Sequence, residues 1–106
     1  MVTLKQFDVF PNRSARTRGR HPYFIVLQSD MLDGLNTRIV APLFPASASG
    51  GGERFTPVVT VEGARYMVDM SNIGTIPARA AAAPTANLES ERYQIVAATD
   101  LVFTGI

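Results

Sequence analysis

Two groups of side chains in this 106-residue chain are of types that can do chemistry. Between residues 13 and 21 stand Arg13, Arg16, Arg18, Arg20 and His21, without helical or strand period, and Gly19 and Pro22 bracket the end of the loop. Arginine forks pair well with carboxylates and phosphates, so this loop reads either as a solvated hairpin tip or as a site for an anion or an acidic peptide. Further on, Asp30 and Asp33 flank Met31 and Leu32 in a turn that ends Asp33-Gly34. Two carboxylates can share acid and base work, but in a turn they serve first as turn formers, because their short side chains hydrogen-bond the local backbone. The two large apolar residues between them are then either tucked under the loop or presented to a partner.

Other chemistry is excluded by what the chain lacks. No serine lies in a nucleophile-elbow context, and the single histidine, His21, has only Asp30 as an acid nearby in the chain, so a triad enzyme is not expected. Without cysteine, and with one histidine, the chain offers neither a thiolate zinc site nor a histidine-rich metal site, and no cofactor is expected. The glycines at 50–52 lack the lysine and hydroxyl residue of a phosphate-binding loop, so residues 45–52 read as a flexible connection. Ten basic against nine acidic residues leave a net charge of +1, which makes no bulk electrostatic case for nucleic acid or membrane. No apolar run approaches the roughly 20 residues of a membrane span, and the N-terminus lacks a signal-peptide pattern; a cytoplasmic protein is expected.

The elements that must position these groups are mostly strands. Gln6 to Phe10 alternates with period two and ends at Pro11-Asn12, Tyr23 to Leu27 is an apolar β-branched and aromatic run, and Arg38 to Leu43 makes a third strand whose Pro42 favours a strand end or an edge. Pro57 to Val61 and Ala64 to Val68 flank Glu62-Gly63 as a hairpin, and Ile73 to Pro77 adds a short strand. Ala80 to Ala83 reads as a helical turn cut off by Pro84. From Leu88 the pattern changes: Leu88, Ile95, Ala98, Leu101 and Val102 recur at helical spacing, Asn87 can cap the first turn, Glu89 and Glu91 suit the helix dipole there, and Gly105 ends the helix. Polar positions beyond its first turn are few, mainly Gln94, Thr99 and Asp100, so the helix should be covered both by the sheet and by a second subunit. Five or six strands and one terminal helix, without βαβ alternation, predict a single α+β domain over 1–106: an antiparallel sheet or small open barrel with the helix packed on it.

Several pieces in fixed order then carry a resemblance. Gln6-Phe7 with Val9, Gln28-Ser29-Asp30 followed by two apolar residues and Asp33, the strand ending Pro42-Leu43, Pro57-Val58-Val59, Asp69-Met70 with Ile76-Pro77, and Leu101-Val102-Phe103 before Gly105-Ile106 together resemble the CcdB toxin family. The resemblance implies a homodimer with an SH3-like antiparallel β barrel or sheet and a C-terminal α-helix, the fold shared with the MazF and Kid ribonuclease toxins. It implies a toxin that binds the DNA gyrase A subunit and traps the cleaved gyrase–DNA complex. A CcdA-like antitoxin is then expected to neutralise it, and toxin and antitoxin together to repress their own operon, so operator DNA is a partner only in that complex. Carried over residue by residue, the gyrase surface falls on Gln6, Phe7, Ser29, Met31, Leu32, Asp33, Asp100, Thr104, Gly105 and Ile106. Antitoxin docking is expected on Arg13, Arg16 and Arg18, with Phe44 and Ser47 from around the flexible loop. The chain departs from the family at its tail: Thr104 stands where the family places tryptophan, and Asp100 where it usually places asparagine. The alternatives are an endoribonuclease toxin of the MazF type, using Arg20 with an acid or His21, and a non-toxic homologue that only binds antitoxin.

Overall fold

The structure, a computed structural model, describes residues 3–46 and 55–105. Its spine is the nine-residue strand β3, Thr37–Pro45. Before it run β1, Asp8–Pro11, and β2, Tyr23–Val26; after it come β4, Val58–Val61, β5, Ala64–Val68, β6, Gly74–Pro77, and β7, Ala86–Asn87. All pairings are antiparallel, in the order β4-β5-β3-β2-β1-β7, and β6 also joins β3. The sheet curls into a nearly closed barrel, and α1, Arg92–Thr104, the one α-helix among the described residues, packs on it to give the expected α+β fold.

Burial on both faces of β1 to β3 explains their near-continuous apolar sequence. Val9, Ile25, Ala41 and Leu43 face a core completed by Val59, Val61, Val68, Met70 and, from the helical segment, Leu88, Ile95 and Ala98. The alternate residues Phe10, Val26 and Val40 face the other way and are covered by Leu4, Ala81 and Ala82. Period-two alternation thus feeds two cores rather than one core and solvent.

Three expectations need correction. Pro42 is neither at an edge nor at a strand end: it lies inside β3, paired with Phe24 of β2. Its carbonyl accepts from the Asp69 amide at 2.9 Å on the opposite side, and its missing N–H falls on that same side, in the interval where β5 leaves β3 and β6 has not yet joined it. Ala80 to Ala83 is not a helical turn: a 3-10 turn occupies Ala78–Ala80, Ala81 is extended, and Ala81 and Ala82 are both buried in the second core. Among the described residues the strand count is seven, because Ala86–Asn87, too short to show alternation, pairs with Asp8 and Val9.

The helix begins later than its apolar pattern. Asn87 Oδ1 accepts from the Glu89 amide at 2.9 Å, but the turn it caps is a 3-10 turn over Glu89–Glu91, and α1 starts only at Arg92. The Asn87 amide also donates to Gln6 O at 3.1 Å and Asp8 Oδ1 at 3.0 Å, which ties the helix entry to the first strand. At the other end Gly105 takes φ 77°, the left-handed conformation a helix stop requires, and its amide reaches Leu101 O at 3.0 Å. Ile95 and Ala98 are buried as the spacing predicts, whereas Val102 is exposed. Among the described residues no helix is long and apolar enough to cross a membrane.

Candidate protein-binding surfaces

The turn that follows β2 is built from polar side chains of its neighbours. A 3-10 turn spans Asp30–Leu32, with Ser29 Oγ accepting from the Met31 amide at 3.2 Å and Asp30 Oδ1 accepting from the Gln6 amide at 2.8 Å. Gln6 answers by donating its side-chain amide to Leu27 O at 3.0 Å. Below the turn, buried Gln28 donates to Leu32 O and Thr37 O at 3.1 and 3.3 Å and accepts from the Ile39 amide at 3.2 Å. Buried Arg38 donates to Leu35 O at 2.6 Å, Thr37 O at 2.9 Å and Asp33 O at 2.9 Å. A backbone held at so many points fixes what it displays: Met31 is 92% exposed, Leu32 49% and Leu35 52%. Large apolar side chains grouped on a turn that cannot fold over them mark a surface for a partner.

The helix end forms a second apolar surface. Val102 and Phe103 line a cavity of about 400 Å³ with Ile39, Met70 and Ile73. Ile39 links the two surfaces, since its side chain lines this cavity while its amide is held by Gln28. Asp100, Thr104 and Gly105 are exposed, and the Thr104 hydroxyl turns back to Asp100 O at 2.7 Å. On the outer side of the helix Tyr93 is almost fully exposed.

The predicted gyrase residues therefore divide. Ser29, Met31, Leu32 and Asp33 share one exposed turn with half-buried Gln6, and Asp100, Thr104 and Gly105 share the helix end. Phe7 stands apart: its ring is 1% exposed, lies in the main core and has the Arg92 guanidinium over it at 5.5 Å. Its φ of 69° is rare for a bulky residue and is held by hydrogen bonds to Val26 O at 2.7 Å and from the Leu88 amide at 2.9 Å. Ile106 lies outside the described residues.

The arginine loop is organised by buried Asn12, whose side chain donates to Thr17 Oγ1 at 2.9 Å and His21 O at 2.8 Å and accepts from the Ser14 amide at 2.9 Å. Arg13, Arg16, Arg18 and Arg20 all point to solvent from this frame. His21 meets an acid that its sequence neighbourhood does not reveal: Nε2 lies 3.5 Å from Asp69 Oδ2. Burial by itself acts to raise the Asp69 pKa, but hydrogen bonds from Asn72 and Ser71, with the charge of His21 when protonated, together hold it below the usual carboxylate range. Arg20, His21, Phe44, Asp69 and Asn72 line a cleft of about 350 Å³, which brings Phe44 beside the base of the arginine loop. Ser47 and most of the loop read as flexible, 45–52, lie outside the described residues. No signal short of the β3–β5 pairing joins Asp69 to His21. Among the described residues no group of three or more histidine and acidic side chains is placed to hold a metal ion.

What the fold defines is a small barrel-like α+β protein whose exposed apolar and arginine side chains gather on two turns and a helix end. A family model described as CcdB protein matches residues 6–105, and the chain belongs to the CcdB family. Its role is accordingly that of the toxin in a toxin–antitoxin system. No individual curated protein matches the chain.

Proposed function

We propose that this CcdB-family protein acts by binding rather than by catalysis: it docks on the DNA gyrase A subunit, holds gyrase with its DNA cleaved, and is released by a CcdA-like antitoxin with which it also represses its operon. The observation that carries this reading is the Met31-Leu32 pair, exposed on a turn whose backbone is pinned by Gln28 and Arg38 and whose Asp30 side chain accepts from the Gln6 amide. Burying such side chains against a partner yields about 25 cal/mol per Å² of apolar surface, offset by the rotamer freedom of the two side chains but by little backbone ordering, because the turn is already fixed. The acting form is a homodimer, in which a second copy covers Val102, Phe103 and Ile39 at the helix end. Titration of the purified gyrase A subunit by calorimetry tests the main claim, with saturable binding expected and no heat of binding against it. For the dimer, melting temperature should rise with protein concentration.

One observation favours a second reading, a ribonuclease toxin of the MazF type. His21 and Asp69 form an acid–base pair in a cleft with Arg20, a cation suited to a phosphodiester. Such an enzyme would cleave RNA with no gyrase present.

A further inference from the structure

Arg38 is a charge without a counter-charge. It is 8% exposed, and among the described residues no carboxylate lies within salt-bridge distance of it. A guanidinium carries five N–H donors, and three are given to the carbonyls of Asp33, Leu35 and Thr37. Nε–H and one Nη2 hydrogen make no hydrogen bond among the described residues, and Nε keeps contact with solvent, since the buried side-chain atom left without a partner there is Thr56 Oγ1. Arginine is seldom buried this far unless it is paired, because the interior replaces water's stabilisation of the charge only where opposite charge is supplied.

Beside this group opens a cavity of about 420 Å³ lined by Thr3, Asp33, Leu35, Asn36, Arg38 and Arg79 among others. Two guanidinium groups against one carboxylate leave it with an excess positive charge. Its rim is apolar on one side, where Leu35 continues into the exposed Leu32 and Met31. We propose that the cavity receives the carboxylate of an aspartate or glutamate on a protein segment whose neighbouring apolar side chains lie across Leu32 and Leu35. The inference rests on reading the 29–36 turn as a protein-docking surface, though not on which protein docks there.

Two features select a protein carboxylate over a phosphate. A planar guanidinium fork takes either anion in two parallel hydrogen bonds, so the choice falls to its surroundings. The apolar rim gives a peptide something to bury, whereas a nucleic-acid backbone brings nothing apolar to it. Asp33, itself in the lining, repels the dianion of free phosphate more strongly than a single carboxylate charge.

The test uses the whole protein, labelled with ¹⁵N, titrated with sodium acetate, sodium phosphate or sodium chloride at matched ionic strength near pH 7. Backbone amides of residues 33 to 38 and the arginine side-chain N–H signals report occupancy. Acetate should give saturable shifts that chloride does not, with phosphate binding more weakly. Arg79→Ala should weaken acetate binding by about threefold, the scale of a partly exposed ion pair, and Asp33→Asn should tighten it. Arg79 is exposed and makes no hydrogen bond among those described, so its replacement leaves the fold intact. Acetate shifts that merely follow chloride, or an affinity untouched by Arg79→Ala, would overturn the site. Tighter binding of phosphate than of acetate would overturn the carboxylate assignment and give the cavity to a phosphate instead. None of these arms uses gyrase, so a failure here and a failure of gyrase binding are separate results.

Discussion

The turn over residues 29–36 and the loop over residues 13–21 are fixed by the same device and display opposite chemistry. Each is pinned from below by buried polar side chains that satisfy backbone groups, Gln28 and Arg38 in the first case and Asn12 in the second. On top, the first turn holds Met31, Leu32 and Leu35 in water, while the loop holds four arginines. The comparison teaches that pinning and display are separable. The buried amide or guanidinium decides whether the loop has a shape, and the exposed side chains decide whether a partner is held by desolvation, which salt barely alters, or by charge, which salt screens.

The largest effect should come from removing a pin. Arg38→Met leaves the Asp33, Leu35 and Thr37 carbonyls without their donor, and urea unfolding should show a loss of about 3 kcal/mol. A loss below about 1 kcal/mol would mean that the turn does not depend on this group. Next comes the apolar display: Met31→Ala with Leu32→Ala should weaken gyrase A binding by about 2 kcal/mol, nearly independently of salt, with stability changed by less than about 0.5 kcal/mol. Equal affinity for the variant would remove these residues from the interface. The charged display should matter less. Replacing Arg13, Arg16 and Arg18 by alanine should cost antitoxin binding about 1 kcal/mol at low salt and clearly less at high salt, so the same loss at both would contradict an electrostatic role.

The smallest effect sharpens the comparison at the base of the arginine loop. Because the Asp69 pKa is lowered on folding, its ionised form contributes stability that is fully present above the ordinary carboxylate pKa and is lost as pH falls through the lower folded value. Asp69→Asn should therefore flatten the acid limb of the stability–pH curve while leaving its neutral part nearly level. An unchanged acid limb would show that Asp69 gains nothing from Asn72, Ser71 and His21 in the folded state.

Much of this was legible in the sequence, for physical reasons that can be named residue by residue. The hairpin at Glu62-Gly63 was readable because few sequences supply two adjacent positive φ angles, here 48° and 81°. Gly105 was readable as a helix stop on the same ground. Pro42 misled because proline's restriction applies to one side of a strand, and only the topology shows that β5 and β6 part on that side. Ala80 to Ala83 misled because alanine suits a helix locally, while the second core needed small extended residues to cover Phe10 and Val26. On the surfaces, Met31 and Leu32 could be seen as apolar residues in a turn, but their exposure depends on Gln28, Arg38 and Gln6, whose hydrogen bonds no local pattern encodes. The His21–Asp69 pair was invisible for the same reason, as strand pairing alone makes it.

That this toxin works by docking on gyrase is tested most directly at Thr104, where a methyl and a hydroxyl stand at the exposed helix end and the resemblance leads us to expect a tryptophan. The measurement is the amount of cleaved plasmid trapped by purified gyrase as a function of toxin concentration, for the natural protein and for Thr104→Trp. Both proteins should trap it, weakly with threonine, and tryptophan should shift the midpoint to roughly thirtyfold lower concentration, the equivalent of about 2 kcal/mol from an interface anchor. No trapped cleavage complex with either protein, at concentrations where both are folded, would contradict it.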